Sequence, residues 1–190
     1  QNPAAPVLWS DAESAAHWSA DVAVIADGKT GKAVRYAVPG DGRPSGCRLD
    51  LQHVAAPIAA ESRLTFRYRF SGKGSSSLHI KLMDPEFSKG WQATWQIGSR
   101  HAADGVWRQA AIDLGSPWMQ WGETPVLTTR CIMFRTQAAA GSELTLDLDD
   151  VMLVPHALEA EVEAADLAGD AAAIRLLLRN RGSTPMQAVL

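Results

Sequence analysis

Hydrophobic and polar residues alternate along most of this chain, which is the pattern of half-buried β-strands. In residues 64–70 every second side chain is apolar, and the same period returns at 78–82 and 91–97. A segment rich in glycine and serine, 71–77, separates the first two runs. Its composition predicts a turn between antiparallel neighbours. The three runs therefore predict consecutive strands of an antiparallel sheet.

Five further segments have strand-like patterns and are bounded by residues that favour turns: 33–38, 47–54, 106–114, 130–137 and 143–154. No long amphipathic helix is indicated before residue 155. About eight short strands separated by turn signals every ten residues or so are typical of two packed antiparallel sheets. The pattern predicts an all-β fold, an antiparallel β-sandwich.

The composition changes after Pro155 to alanine, leucine and glutamate. Residues 158–164 alternate with period two, which favours a strand, although their alanine content is also compatible with a helix. We favour strands. The turn-forming residues 179–185 and the segment 186–190 then predict the start of a second domain of immunoglobulin-like type. We expect a sandwich over 1–155, and a linker with a truncated second domain over 156–190.

Charge and hydropathy exclude two classes of partner. The 190 residues include 18 Lys and Arg against 21 Asp and Glu, a net charge of −3. That balance does not suit binding to nucleic acid, and no apolar run approaches the roughly 18 to 20 residues that a membrane span needs. The chain starts Gln-Asn-Pro-Ala-Ala-Pro rather than with Met, which is typical of a segment that follows a removed export signal. We expect a secreted or periplasmic protein.

Two cysteines, Cys47 and Cys131, lie in different predicted strands. In an oxidising compartment they could form a disulfide, but the sequence does not fix the distance between them. The alternative is that both are small buried hydrophobic residues.

Several motifs, in order, resemble those of jelly-roll carbohydrate-binding modules of the galactose-binding-like superfamily. The segment 11–18 resembles their Asp-Phe-Glu and Trp start, and 27–35 resembles their Gly-Lys-x-Ala-Leu-Arg strand. Residues 106–114 resemble their Trp-x-x-x-x-Ile-x-Leu strand, and 146–153 their closing Ile-Asp-Asp-Val-x-Leu strand. The resemblance spans roughly residues 7 to 155. It implies a jelly-roll topology for the predicted sandwich and a carbohydrate ligand.

The resemblance also implies a structural calcium ion where the first and last strands meet. Its positions correspond here to the carboxylates of Glu13 and Asp150, and to Asp27 and Lys29 in a turn that lends carbonyl groups. Calcium prefers six to eight oxygen ligands, which such a set can supply. The alternation in 143–154 slips by one residue near Asp150, which predicts a β-bulge that re-aims a carboxylate. The alternative is an exposed acidic strand end without an ion.

The polar faces of the predicted strands carry long hydrogen-bond donors and amides, which suit the hydroxyl groups of a sugar. Their cationic members also suit a glycan that bears carboxylates or sulfates. The alternative is an ordinary solvated sheet face. The candidate ligand-binding residues on these faces are Arg67, Arg69, His79, Lys81, Gln92, Gln96 and Arg135.

The chain has seven tryptophans, and the apolar face of a sugar ring packs well on a flat aromatic ring. Trp91 and Trp95 share a face with Ile97, which indicates core positions. Trp118 and Trp121 lie in a turn-flanked segment and are the predicted platform, unless that segment folds over the end of the sandwich and buries them.

We therefore predict a non-catalytic carbohydrate-binding module that anchors a secreted, multidomain, glycan-active protein to polysaccharide, with an appended catalytic domain in the same polypeptide. The first alternative is a structural spacer that binds no sugar. A jelly-roll polysaccharide lyase is less favoured, because Tyr68 points away from the polar face by parity and leaves no base in reach of a substrate. The acidic residues cluster at strand ends and do not form the facing pair that a glycosidase needs.

Overall fold

The computed structural model describes residues 7–19, 21–26, 31–53, 58, 62–83, 92–121, 131–154, 158–166 and 173–180, with backbone only for residues 92, 99, 120, 121 and the last two segments. Every regular element among them is a β-strand, which confirms the predicted fold class. The strands are β1 (Val7–Ser10), β2 (Val22–Ala26), β3 (Lys32–Val38), β4 (Ser45–Asp50), β5 (Arg63–Met83), β6 (Gln92–Asp104), β7 (Arg108–Asp113), β8 (Met119–Trp121), β9 (Cys131–Ala138), β10 (Glu143–Val154), β11 (Leu158–Asp166) and β12 (Ala173–Asn180).

Strand β5 is long enough to belong to both layers of a sandwich. Its first half pairs with β10 and β7, and its second half pairs with β9 and β6. The first layer has the order β2-β3-β10-β5-β7, with β1 also on β10. The second layer has the order β4-β9-β5-β6-β8. All these pairings are antiparallel.

The glycine- and serine-rich segment 71–77 does not form the predicted turn between neighbours. The strands before and after it do not pair with each other, because the chain bends there and passes from one layer to the other. Gly72 and Gly74, with φ of +114° and +119°, adopt backbone conformations that side chains disfavour. A Cβ atom on Gly72 would lie 2.0 Å from the carbonyl oxygen of Glu143. The prediction was wrong because glycine-rich segments occur at bends as well as at turns.

The core lies between the two layers. Alternate residues are buried in both halves of β5, from Leu64 to Phe70 and from Ser76 to Leu82, as their period predicted. Phe66 of the first layer contacts Phe134 of the second, with ring centroids 5.2 Å apart, and Trp18 packs on Phe134 at 5.7 Å. Trp95 is 4% exposed and its indole N–H donates to the carbonyl oxygen of Asp113, which confirms its predicted core position.

The predicted bulge in β10 is present. The pairing with β5 shifts between Asp149 and Met152, and Asp150 has a φ of +49°. At this point β10 changes its other partner, from β3 up to Leu148 to β1 from Val151 onward. Strands β1, β2 and β8 were not predicted, and the strand predicted at 47–54 ends at Asp50.

Strands β11 and β12 pair with each other in a separate two-stranded sheet. This confirms the preference for strands after Pro155, whereas the domain boundary stays a prediction. Within the described residues, no helix has the length and hydrophobicity to cross a membrane.

The two cysteines are buried and not bonded to each other. Cys47 lies opposite Phe134, and Cys131 lies opposite Asp50. The two positions are thus three residues out of register, or roughly 10 Å along the strands at about 3.4 Å per residue. A disulfide requires Cα atoms within about 7 Å, so the structure favours the interpretation as buried hydrophobic residues.

Candidate functional site

On the outward face of the second layer, the strand register aligns residues of neighbouring strands in rows, and several of these residues are polar. We call it the outer face of the second layer, and it consists of three rows that run from β4 across β9, β5 and β6. The first is Gly46, Arg135, His79 and Gln96; the second is Arg48, Met133, Lys81, Thr94 and Met119; the third is Asp50, Cys131, Met83, Gln92 and Trp121.

The first row, and the second row apart from Thr94, are the accessible part of this face. Gln96 is exposed, and His79, Lys81 and Arg135 are half-buried. Met83, Thr94 and Cys131, by contrast, are 2%, 3% and 3% exposed. A ligand can therefore reach this face at the end where His79 and Arg135 lie.

Trp118 supplies an aromatic surface beside this row. It is 60% exposed and its ring stacks on the His79 imidazole, with centroids 5.8 Å apart and planes 23° apart. Of the two alternatives for the loop tryptophans, exposure therefore holds for Trp118. The free face of an indole held in this way is a surface on which a sugar ring can lie. Trp121 belongs to β8, where its backbone pairs with Gln92, and the side chains of both lie outside the described residues.

The charges around His79 favour its neutral form. Burial lowers the pKa of His79, and the cationic Arg135 and Lys81 lower it further. The pKa of Lys81 is lowered by burial and by Arg135. A neutral imidazole keeps one donor and one acceptor nitrogen, which suits hydrogen bonds with hydroxyl groups.

Arg67 and Arg69 lie on the other layer, so the structure does not bring them together with the other candidates. They belong to the first half of β5, where the Arg69 guanidinium bonds Asp147 at 2.7 Å and that of Arg67 bonds Asp149 at 3.1 Å. Both guanidinium groups also lie over the Trp107 ring, 4.6 and 4.7 Å from its centroid. The alternation of polar and apolar residues is the same in both halves of β5, so it did not show that Arg67 and Arg69 lie on a different layer from His79. The change of layer occurs between Arg69 and His79.

A cavity of about 460 Å³ adjoins the first row of the face. Ser77 and Gln137, which are paired across β5 and β9, lie in its wall together with Arg100, Gly42 and residues 138–140. Arg100 is not among the candidates that the sequence indicates. Its strand lacks regular alternation near Gly98, which has a φ of +60°, so the periodicity gave no signal there.

The candidate calcium ligands are only partly described. Glu13 Oε1 accepts a hydrogen bond from the Lys32 amide at 3.0 Å, and its other oxygen is 3.8 Å from the Lys32 ammonium. Asp150 lies 3.7 Å from the Arg67 guanidinium, at the bulge. Asp27 and Lys29 lie outside the described residues. No group of three metal-binding side chains occurs in the described part of the chain, so the calcium site stays a prediction.

Both tyrosines of the chain point into the core, as parity predicted for Tyr68. Tyr36 and Tyr68 are 5% and 4% exposed. The outer face of the second layer therefore has no tyrosine that could serve a lyase as a base.

No family model and no curated protein sequence matches this chain. Among solved structures, it is similar to a family 11 carbohydrate-binding module from Clostridium thermocellum in complex with a β-1,3-1,4-mixed-linked tetrasaccharide, with a TM-score of 0.55 and 15% identity over 78% of this chain and 95% of that module. It is also similar to an arabinose-bound GH51 α-L-arabinofuranosidase, with a TM-score of 0.56 and 20% identity over 80% of this chain. An exo-β-agarase matches with a TM-score of 0.51 and 12% identity over 82% of this chain. The chain spans 27% and 24% of these two enzymes. It has the β-sandwich fold of jelly-roll carbohydrate-binding modules.

Proposed function

We propose that this chain is a non-catalytic carbohydrate-binding module, and that the outer face of the second layer holds the sugar. The observation that carries the proposal is the exposed Trp118 ring stacked on His79, next to Arg135 and Gln96. An aromatic surface beside convergent hydrogen-bonding groups is the usual composition of a sugar site. The fold shared with an oligosaccharide-bound module supports the same function.

The proposed role is to keep a secreted, multidomain glycan-active protein on its polysaccharide, with the catalytic domain elsewhere in the same polypeptide. A tethered module raises the concentration of substrate that the catalytic domain meets, and it needs no chemistry of its own. Residues 156–190 would then form the linker and the start of the next domain.

Affinity electrophoresis in gels that contain neutral or acidic polysaccharides tests this function. Retarded migration in at least one gel is the expected result. Trp118→Ala should weaken the retardation and raise the dissociation constant about tenfold or more, because the sugar ring loses the indole on which it stacks and is buried. Val106→Ala is the matched control, because Val106 is 54% exposed and lies between β6 and β7, away from the face. Unretarded migration with every polysaccharide would favour the structural spacer.

A further inference from the structure

The arginines of the two layers differ in their partners. In the first layer five arginines form ion pairs with aspartates: Arg35 and Arg69 with Asp147, Arg63 with Asp113, Arg67 with Asp149, and Arg108 with Asp104. In the second layer Arg48, Arg100 and Arg135 have no ion-pair partner within the described segments. The five arginines of the first layer are thus neutralised by aspartates, whereas, among the described residues, these three arginines of the second layer are not.

Few acidic groups oppose these cations. In the three rows of the outer face of the second layer, the one described acidic residue is Asp50, at the outer strand and two rows from Arg135. Its carboxylate accepts a hydrogen bond from the Gln52 amide. Burial lowers the pKa of His79, and the nearby Arg135 and Lys81 lower it further, which is consistent with a positive electrostatic potential over this row. The described part of this face is therefore locally cationic, although the chain has a net charge of −3.

The cationic surface continues into the cavity. Arg100 is exposed in its wall, and the other described residues of the wall are Gly42, Ser77, Gln137 and three alanines, which carry no negative charge. Gln137 is oriented by its amide, which donates to the carbonyl oxygen of Gly42 at 3.1 Å. The cavity thus offers room for a sugar residue next to the row that contains Arg135.

We propose that the ligand of this face is an acidic polysaccharide, in which Arg135 binds the carboxylate of a uronic acid residue that lies on Trp118 and Arg100 binds a second carboxylate in the cavity. This inference rests on the proposed function, since it names the ligand class of the same face. An arginine forms two parallel hydrogen bonds with a carboxylate, which is the geometry a uronate offers. One carboxylate per sugar suits two arginines on the face and one in the cavity better than the dense charge of a sulfated polymer.

The test compares polymers that differ only in charge. Affinity electrophoresis of the full chain would use polygalacturonate, alginate and glucuronoxylan, each beside its carboxyl-reduced form, with dextran sulfate beside dextran as the sulfate arm. We expect at least one uronate polymer to bind about tenfold or more tightly than its reduced form, and the difference to shrink with added salt. Arg135→Gln and Arg100→Gln should remove most of that difference, while binding to the reduced polymer changes less than about twofold.

Arg108→Gln is the matched control, because it removes the same charge from the first layer. Melting curves of each variant establish that it is folded. Equal binding of uronate and carboxyl-reduced polymers would overturn the inference but not the proposed function. Retardation by dextran sulfate alone would have the same meaning. Loss of affinity in Arg108→Gln equal to that in Arg135→Gln would also overturn it. If no polymer retards the protein, the proposed function fails with it.

Discussion

Asp147 is a buried carboxylate that is stabilised by ion pairs with two arginines. It is fully buried within β10, where Arg35 and Arg69 approach it from the neighbouring strands at 2.7 Å each. Burying a carboxylate without such partners is unfavourable, because water no longer solvates the charge. The two arginines therefore hold β3, β10 and β5 together at this point of the first layer.

Asp147→Asn tests this role. The substitution leaves two guanidinium groups without their carboxylate, and we expect the free energy of unfolding to fall by about 2–3 kcal/mol, somewhat less than for a fully buried pair because the arginines are partly exposed. Urea denaturation measures the change. Asp113→Asn is the control, since Asp113 is 49% exposed in its ion pair with Arg63 and should cost less than about 1 kcal/mol. Equal losses in both variants would contradict the proposed role of burial.

The thiols are the second feature at the scale of single residues. Burial raises the pKa of Cys131 to about 12 and also raises that of Cys47. A thiol that stays protonated when folded but ionises when unfolded stabilises the fold fully below the unfolded pKa of about 9, and that contribution is lost as the pH rises towards 12.

We therefore expect both cysteines of the native protein to resist iodoacetamide at pH 8, and both to react in denaturant. Mass spectrometry after brief exposure counts the modified thiols. Between pH 9 and pH 11 the urea midpoint should fall more steeply for the natural sequence than for a variant with Cys47→Ala and Cys131→Ala. Rapid alkylation of the folded protein, or identical slopes, would show that the thiols are accessible or do not contribute.

At the scale of elements, the continuity of β5 depends on the bend at Gly72 and Gly74. Because of the bend, β5 is an inner strand of both layers, with a neighbour on each side in each layer. It therefore joins the two layers without a separate connection. It also separates Arg67 and Arg69 from His79 and Lys81, which gives the two outer faces their different chemistry.

Gly72→Ala should destabilise the protein by about 2–4 kcal/mol, because it combines an unfavourable φ with a Cβ atom 2.0 Å from the Glu143 carbonyl oxygen. The comparison is Gly141→Ala, whose φ is +77° but whose Cβ would have no atom within 4 Å. That variant should lose only about 1 kcal/mol from backbone conformation. If chemical denaturation gives the same loss for both, the close approach at Gly72 is not what fixes the bend.

At the scale of the whole molecule, the predicted calcium ion would join the start of the chain to the end of the sandwich, since Glu13 follows β1 and Asp150 lies in β10. An ion that binds only the folded state raises the melting temperature, and it adds about 2.7 kcal/mol at a hundred times its dissociation constant.

We expect the melting temperature in calcium chloride to exceed that in EDTA, and Glu13→Gln with Asp150→Asn to abolish the difference. Differential scanning calorimetry measures both. Asp113→Asn serves as the control, because it removes a carboxylate from another part of the first layer and should keep the calcium response. A melting temperature that does not depend on calcium would contradict the predicted site.

The alternation of side chains determined much of this protein, because a β-strand exposes every second residue to one side. The inward positions of Phe66, Tyr68 and Trp95 follow from that period, and so does the bulge at Asp150, where the period slips. Parity also placed His79, Lys81 and Arg135 on an outward face. These properties are local, so the sequence is enough to predict them.

The tertiary structure decided which of the outward-facing residues share a surface. Period two gives the same signal on either layer, and only long-range pairing shows that Arg67 bonds Asp149 while Arg135 lies beside His79. The stacking of Trp118 on His79 and the place of Arg100 in the cavity join segments that are distant in sequence. Such contacts depend on how strands pair and where the chain bends, and no local pattern encodes that choice.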